Sequence, residues 1–362
     1  MAAYKIVLDA MGGDEAPRCN VEGAVMALAE DQDLSLILTG PEPVLKQLLE
    51  ERKKAGRTWD ETRLSIVHTD EVIANDEHSP AEAVRAKRDS SLGLAFQMVR
   101  GKEADGMVSA GNTGAVLSGG TLIVGRIKGV QRPALTLPLP TGNPPTVMLD
   151  MGANMDAKAS YLVQFAHMAS IYYRSMYGVA EPKVSLLNVG VEEGKGNELA
   201  KEVYDLLKAD DKIHFAGNIE ARDVMLGGSD IVVCDAFAGN VFLKSVEGTA
   251  KFIMNQLKAG VSASLKAKIG ALLMKKVLKG LKNSLDPSSV GGTPLLASKA
   301  PSSKRMAIPM RGRSRMLSSS AAALSPQAST TRSNRRSGRN EQKRRGCIWR
   351  IFRLYMRSWR ML

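Results

Sequence analysis

The sequence has few of the side chains from which disulfides and metal sites are built. Its 362 residues include three cysteines, Cys19, Cys234 and Cys347, and four histidines. Three widely spaced cysteines do not make a disulfide framework, and no cluster of histidine and cysteine has the ligand spacing of a zinc site. The sequence therefore predicts a protein of a reducing cytoplasm with no bound metal.

Long apolar segments and several ligand-binding motifs are also missing. No run of 18 apolar residues occurs, so no membrane-spanning helix is predicted, and residues 4–8 are typical of a strand rather than of a secretory signal. The loop 190–196 resembles a P-loop but lacks its spacing, and no glycine motif of dinucleotide-binding proteins or serine hydrolases is present. Nucleotide cofactors and a hydrolytic serine are therefore disfavoured.

The net charge of +13 is concentrated in two places. Residues 301–362 hold 16 lysines and arginines with a single acid, Glu341, whereas residues 1–300 hold 34 basic and 36 acidic residues. Residues 251–282 hold eight lysines and no acid. A nucleic-acid-binding domain should be basic on its folded surface, so nucleic acid is not the predicted partner. A membrane or nucleic-acid binder that uses the basic tail stays an alternative, which deletion of residues 301–362 would test.

Short apolar runs alternate with helical stretches along the first 250 residues. This alternation is typical of βα units on a mostly parallel sheet, and the runs that are apolar throughout suit strands buried on both faces. The predicted fold class is therefore α/β, with one catalytic domain over residues 1–300. The predicted strands are Lys5–Leu8, Ser35–Thr39, Leu64–Val67, Gly106–Ser109, Thr146–Leu149, Val184–Asn188 and Ile231–Cys234.

Helix signals are clear at three places. The tetrapeptide at 79–82, Ser-Pro-Ala-Glu, combines an N-cap, a proline and a capping-box acid, and it predicts a helix that extends to Arg100. A second helix is predicted over Glu198–Leu207, and residues 251–282 form a long helix or a helical hairpin broken near Gly260. Residues 301–362 are predicted to be a disordered or aberrant basic tail, although their last 14 residues alone would suit a basic amphipathic helix.

Five predicted strands end in loops that are rich in glycine, asparagine and aspartate. Such loops gather at the carboxyl edge of a parallel sheet, where open α/β sheets bind their ligands. Glycine lets the backbone approach a ligand closely, and helix N-termini offer unpaired N–H groups that suit phosphate. One such loop alone is more often a tight turn, so the prediction depends on all five. The loops are 9–14, 109–114, 150–156, 188–197 and 235–240.

At these loops the sequence closely resembles the phosphate acyltransferase family of phospholipid synthesis, known as PlsX. The resemblance runs from about residue 4 to about residue 296, and the motifs are specific in combination although each is short. The matching motifs are D-A-M-G-G-D at 9–14, S-A-G-N-T-G-A at 109–115, R-P-A-L at 132–135, L-D-M-G-A-N at 149–154, L-L-N-V-G at 186–190, E-E-G-K-G-N-E at 192–198, G-N-I-E-A-R-D at 217–223 and C-D-A-F-A-G-N-V-F-L-K at 234–244.

The resemblance implies a three-layer α/β/α fold related to phosphotransacetylases, a homodimer, and no metal or organic cofactor. It implies that a fatty acyl group moves from acyl-acyl carrier protein to inorganic phosphate, giving acyl phosphate for phospholipid synthesis. It also suggests that residues 251–282 contact an anionic membrane surface, where the product passes to a membrane acyltransferase; packing on a dimer mate is the alternative role of this segment. A phosphotransacetylase that acts on small acyl-CoA is the other enzyme considered.

In this chemistry phosphate is itself the nucleophile, so the protein has to hold phosphate against the thioester carbonyl and stabilise the developing oxyanion. We expect phosphate to bind near Ser109–Gly114, with Asn112 as a catalytic candidate. Lys244 and Arg132 are the candidate cations that assist there. For each cation, a solvated surface charge is the ordinary alternative. The further binding candidates are Asp9, Gly12, Gly13, Asp14, Arg85, Ser109, Gly111, Thr113, Gly114, Asp150, Asn154, Asp156, Asn188, Lys195, Asp235, Gly239 and Asn240.

The match to the family stops after Leu296. The family continues with an apolar strand and a His-Gly pair, whereas this chain continues with a polar stretch from Pro301 to Pro309. The stretch from Ser302 onward can be written in codons that encode a different peptide when one preceding base is added and the reading frame shifts. That peptide is Val-Ile-Lys-Ala-His-Gly-Asn-Ser, which fits the ending of the family. We hypothesise a one-base frameshift close to residue 300, which would remove a late strand and helix and lower both stability and activity.

Overall fold

A computed structural model of the chain describes residues 4–278, 280, 293–296 and 302–304. The chain divides into two compact units. Of the described residues, the first unit contains 4–133, 171–179, 293–296 and 302–304, and the second contains 134–170, 180–278 and 280.

Strands and helices alternate along most of the described chain. The strands are β1 (Tyr4–Asp9), β2 (Leu34–Gly40), β3 (Leu64–His68), β4 (Gly106–Ser109), β5 (Ala134–Leu135), β6 (Leu137–Leu139), β7 (Thr146–Leu149), β8 (Val184–Asn188), β9 (Phe215–Glu220), β10 (Ile231–Val233), β11 (Thr293–Leu296) and β12 (Ser302–Lys304). The α-helices are α1 (Arg18–Glu30), α2 (Glu42–Lys54), α3 (Pro80–Ala86), α4 (Ser91–Arg100), α5 (Thr113–Gly119), α6 (Ala159–Tyr177), α7 (Glu198–Lys208), α8 (Ala221–Val224), α9 (Ala236–Ser262) and α10 (Leu265–Leu273).

The sheet of the first unit is covered by helices on both faces. Its strands lie in the order β3-β2-β1-β4-β12-β11, parallel except for the antiparallel pair β11 and β12. Successive residues of a strand point to opposite faces, so Ile6 and Leu8 pack in one core with α1 and α2, while Val7 packs in another with α4 and α5. This arrangement is the three-layer α/β/α packing that the family resemblance implied.

The second unit has a five-stranded sheet of its own. The strand order is β6-β7-β10-β8-β9, and every pair is parallel except β6 with β7. The central strand β10 and its neighbour β7 are buried along their whole length, as the uninterrupted apolar runs predicted. The α/β class with mostly parallel strands is thus confirmed, and all seven predicted strands are present.

Two details of the prediction are wrong. The helix expected from Pro80 to Arg100 is two helices, α3 and α4, because Ser90 breaks the run and caps α4 by accepting a hydrogen bond from the Gly93 N–H at 3.2 Å. The Ser79 side chain makes no capping hydrogen bond, so the expected capping box does not form.

The expectation of a single sheet edge is also wrong. The loops 9–14 and 109–114 follow strands of the first unit, whereas the other three candidate loops follow strands of the second. Within each sheet the strands are parallel neighbours, so the loops of one unit still share an edge.

In the lysine-rich segment 251–282, α9 ends at Ser262 and α10 begins at Leu265, close to the break that was predicted near Gly260. Lys279 and Lys282 lie outside the described residues, as does the basic tail apart from Ser302–Lys304, which form β12.

Candidate functional site

In the first unit, the candidate loops are organised around the buried carboxylate of Asp9. Asp9 ends β1 beside Ser109, which ends the neighbouring strand β4. One oxygen of the carboxylate, Oδ2, accepts a hydrogen bond from the Ser109 hydroxyl at 2.7 Å, and Oδ1 accepts one from the Ser91 hydroxyl at 2.8 Å. Burial raises the pKa of the Asp9 carboxyl, and these hydrogen bonds offset that effect only in part.

The two loops of this unit touch through glycine. A Cβ atom at Gly12 would lie 2.6 Å from Asp9 Oδ2 and 2.7 Å from the backbone nitrogen of Gly111. No other residue fits such a position without displacing backbone, which explains the glycine at 12. The Gly111 N–H donates to the Ser109 hydroxyl at 3.0 Å, so Asp9, Ser109 and Gly111 form one connected network.

Asn112, the catalytic candidate, is held by hydrogen bonds on both ends of its amide. Its Oδ1 accepts from the Ala115 N–H at 3.0 Å and caps α5, while its Nδ2 donates to the carbonyl oxygens of Asn75 at 2.9 Å and Glu77 at 3.2 Å. Gly114 packs against the ring of Pro80, at the start of α3. These contacts position the loop 109–114; whether Asn112 acts in the reaction stays a prediction.

Three polar residues that shape this unit's loops were not among the residues predicted from the sequence. Asn20, which is buried in α1, donates from Nδ2 to the carbonyl oxygens of Ala10 at 2.9 Å and Gly12 at 2.8 Å. Asn75 accepts from the Gly13 N–H at 3.2 Å and donates to Asp14 at 3.3 Å. Ser91 is the third. Asn20 and Asn75 stand outside the glycine motifs, so only their asparagine side chains could have marked them.

In the second unit, the buried carboxylate of Asp150 plays the corresponding role. Its Oδ1 accepts from the backbone N–H groups of Leu135 and Ala153, both at 3.1 Å. Its Oδ2 accepts from the backbone N–H of Asn154 at 2.9 Å and from the side chain of Asn154 at 2.6 Å. Burial raises the pKa of the Asp150 carboxyl despite these donors. The loop after β7 is therefore folded around Asp150.

The start of α9 packs directly on this loop. Asp235 caps α9 by accepting from the Ala238 N–H at 2.8 Å, and the Ala236 N–H donates to the Asn154 carbonyl oxygen at 3.2 Å. A Cβ atom at Gly239 would lie 2.1 Å from the Asp150 carbonyl oxygen. Burial raises the pKa of the neighbouring Cys234 thiol well above its ordinary value, which suits a packing residue and not a nucleophile.

The remaining candidates of the second unit are more exposed. Asn188 shapes the loop 188–197 by donating to the Lys195 carbonyl oxygen at 3.0 Å, and the Lys195 side chain is exposed. Asp156 is exposed, and Asn240 lies near Gly152. The Lys244 ammonium pairs with the largely buried Glu247 carboxylate at 3.0 Å, so part of its charge is already balanced.

Arg85, Arg132 and Thr113 belong to the first unit. Arg132 is exposed in the loop before β5, Arg85 is exposed on α3, and Thr113 is the first residue of α5. Arg85 lines a separate groove beside the end of α4. The residues that the structure describes contain no cluster of three or more His, Cys, Asp or Glu side chains placed to hold a metal ion. In the same residues, no helix is long and apolar enough to cross a membrane.

Comparison with known structures first gives the class of fold. The structure is similar to that of a branched-chain phosphotransacylase from Enterococcus faecalis, with a TM-score of 0.52, over 88% of this chain and 97% of that one. The two sequences are 16% identical, so the likeness concerns the fold. The fold is thus the α/β architecture of the phosphotransacylases, in agreement with the sequence-based expectation.

Sequence comparison then gives the family. The profile of a family described as "Fatty acid synthesis protein" matches residues 4–316. The chain is 49% identical over 299 residues to a phosphate acyltransferase of Streptococcus uberis, covering 82% of this chain and 86% of that protein. It is 48% identical over 293 residues to one of Clostridioides difficile, covering 81% and 84%. The chain belongs to the phosphate acyltransferase family, which confirms the predicted family and acyltransferase class.

Proposed function

We propose that this protein transfers a fatty acyl group from acyl-acyl carrier protein to inorganic phosphate and releases acyl phosphate for phospholipid synthesis. The observation that carries the proposal is the contact between the loops 9–14 and 109–114, where backbone groups converge around a buried carboxylate at the carboxyl edge of the first sheet. Open α/β sheets bind ligands at this edge. The second support is the family of phosphate acyltransferases to which the chain belongs.

In the proposed reaction, one phosphate oxygen attacks the thioester carbonyl carbon and forms a tetrahedral oxyanion, whose carbon–sulfur bond then breaks to release the carrier-protein thiolate and leave acyl phosphate. We place phosphate at Ser109–Gly114. The protein contributes by positioning phosphate and stabilising the oxyanion, and it needs no nucleophile of its own. Asp9 acts as a positioning residue because it fixes Ser109 and, through it, the Gly111 N–H. Arg132 and Lys244 are the candidate cations.

The test is phosphate-dependent release of holo carrier protein from acyl-acyl carrier protein, with acetyl-CoA as the competing donor. Asn112→Ala should lower kcat by tenfold or more, and Ser264→Ala is the matched control. Ser264 caps α10 by accepting from the Ala267 N–H at 3.1 Å, so both variants lose an N-cap worth about 1 kcal/mol. Unchanged turnover in Asn112→Ala would remove that residue from the mechanism. Acetyl-CoA as the preferred donor would overturn the proposed substrate.

We also propose that the enzyme is a cytoplasmic homodimer that contacts an anionic membrane surface through α10. In α10, Leu265, Leu272 and Leu273 are 75%, 68% and 83% exposed, and lysines flank them. Each lysine near an anionic surface adds about 1 kcal/mol of attraction, so several would be appreciable together. Flotation with liposomes should depend on anionic lipid and should be lost in the double variant Leu272→Asp/Leu273→Asp. Flotation that does not change with the anionic lipid content would count against this contact.

A further inference from the structure

The first unit carries a groove that none of the candidate loops lines. It lies between the α3–α4 turn, the end of α4, and the π-helical segment Gly120–Val124 that continues α5, and its volume is about 540 Å³. Three arginines line it, Arg85, Arg88 and Arg100, with one acid, Asp89. This volume is in the range of a ligand site and is large enough to receive side chains of a partner.

The three arginines have no ion pairs within the part of the chain that the structure describes. Other arginines of this unit are paired: Arg52 lies 2.7 Å from Glu22, and Arg63 lies 3.3 Å from Asp60. Leaving three guanidinium groups around one cavity without acidic partners raises the local positive potential. Guanidinium groups bind carboxylates and phosphates in a bidentate manner, so the groove suits an anionic partner.

The groove also exposes apolar side chains between the arginines. Leu122 and Ile123 contribute to its lining beside the buried Val84, and Leu122 is 44% exposed. A free phosphate ion would use the charges but would leave these side chains in water. A protein surface that presents carboxylates around one or two apolar side chains would use both, as interfaces with an apolar centre and a polar rim do.

The position of the groove relative to the loop 109–114, where phosphate is proposed to bind, supports a protein partner. Gly114 meets Pro80 where α5 and α3 begin, whereas Arg85 lies near the end of α3 and Leu122 lies in the π-helical segment that continues α5. Leu122 follows Gly114 by eight residues, which corresponds to about 12 Å along a helix. A partner in the groove would therefore lie beside the loop 109–114 without occupying the proposed phosphate site.

We propose that this groove docks the protein part of acyl-acyl carrier protein through carboxylates of that partner, so that its thioester arm reaches the loop 109–114. The inference rests on the proposed function, because it names the surface that receives the protein part of the donor. The docking contacts involve Arg88 and Arg100 in addition to Arg85. Charge complementarity of this kind acts mainly on association and on the apparent affinity for the partner.

The test compares Arg88→Glu/Arg100→Glu with Lys54→Glu. Lys54 is an exposed residue of α2, which packs on the opposite face of the first sheet, so the control changes charge away from the groove. The double variant should raise Kd and KM for acyl-acyl carrier protein about tenfold, with kcat nearly unchanged. Arg88→Gln/Arg100→Gln should give an intermediate effect, and circular dichroism melting checks that all variants fold.

Three results would overturn the docking proposal. The first is an unchanged Kd of the double variant for the carrier protein, measured by fluorescence anisotropy without turnover. The second is an equal effect of Lys54→Glu. The third is an equal loss of affinity for acyl phosphopantetheine without the protein, which would assign the groove to the prosthetic phosphate. A wild-type protein that binds the carrier but shows no phosphate-dependent release would instead contradict the proposed function alone.

Discussion

Two alanine substitutions on one helix test how tightly the loop after β7 is packed. A Cβ atom at Gly239 would lie 2.1 Å from the Asp150 carbonyl oxygen and 2.9 Å from Cys234 Sγ, whereas nothing lies within 4 Å of a Cβ atom at Gly248. Both glycines belong to α9, so Gly239→Ala and Gly248→Ala change the same helix in the same way. They differ in what the added methyl group meets.

The expected magnitudes follow from these distances. Replacing glycine by alanine inside a helix gains about 0.5–1 kcal/mol, so Gly248→Ala should stabilise the protein by that amount. At Gly239 the methyl group overlaps a backbone carbonyl, and either the start of α9 or the β7 loop has to move by about 1 Å. Overpacking of this kind costs about 1–3 kcal/mol, which should exceed the helix gain and leave Gly239→Ala the less stable variant.

Urea unfolding followed by circular dichroism measures both variants. The unfolding free energy of Gly239→Ala should fall below that of Gly248→Ala by about 1–3 kcal/mol. Turnover of acyl-acyl carrier protein should drop in Gly239→Ala alone, because the displaced Asp150 carbonyl belongs to a candidate loop. If the two variants unfold at the same urea concentration, the close packing of α9 on the β7 loop is refuted.

Three further results are expected. The raised pKa of Asp9 means that the folded state holds a proton at pH values above 3.8 where the unfolded state has lost it, so this residue's contribution to stability falls as pH rises through that window. The substitution Asp9→Asn should remove that part of the pH dependence in melts from pH 4 to 8, and an unaltered profile would contradict it. The substitutions Ser302→Val/Ser303→Ile place β-branched residues in β12, between β4 and β11, and should raise the unfolding free energy by about 1 kcal/mol; no gain would weaken the frameshift hypothesis. Iodoacetamide should label Cys19 well before the buried Cys234, as mass spectrometry can show, and equal rates would contradict the packing of Cys234.

Apolar runs in the sequence predict the long strands because burial on both faces leaves few alternatives. The strand β9 was missed because its sequence, Phe-Ala-Gly-Asn-Ile-Glu, is not an apolar run and because Gly217, at a φ of 87°, interrupts it. The strands β5 and β6 are only two and three residues long, too short to leave a periodic signal. Short or irregular strands depend on their neighbours in the sheet, which sequence spacing does not reveal.

The glycines and acidic residues of the site were predictable from the sequence, but the hydrogen bonds between distant residues were not. The motifs mark Asp9 and Ser109, yet the hydrogen bond between Asp9 and Ser91 joins residues that are 82 positions apart in the chain. The prediction that all five loops share one sheet edge was wrong because apolar runs identify strands without showing which sheet each strand joins. Pairing partners are set by tertiary packing, and the sequence contains no direct record of them.

The length of α9 has a consequence for how an enzyme resting on a bilayer could meet a water-borne donor. The helix contains 27 residues and so spans about 40 Å, from the cap at Asp235 to Ser262 just before the exposed leucines of α10. Under the proposed membrane contact through α10, a helix of that length would hold the loop after β7, which packs on the start of α9, up to about 40 Å from the lipid headgroups. The loops at the cap end of α9 would then stay in the aqueous phase while the leucines of α10 contact lipid.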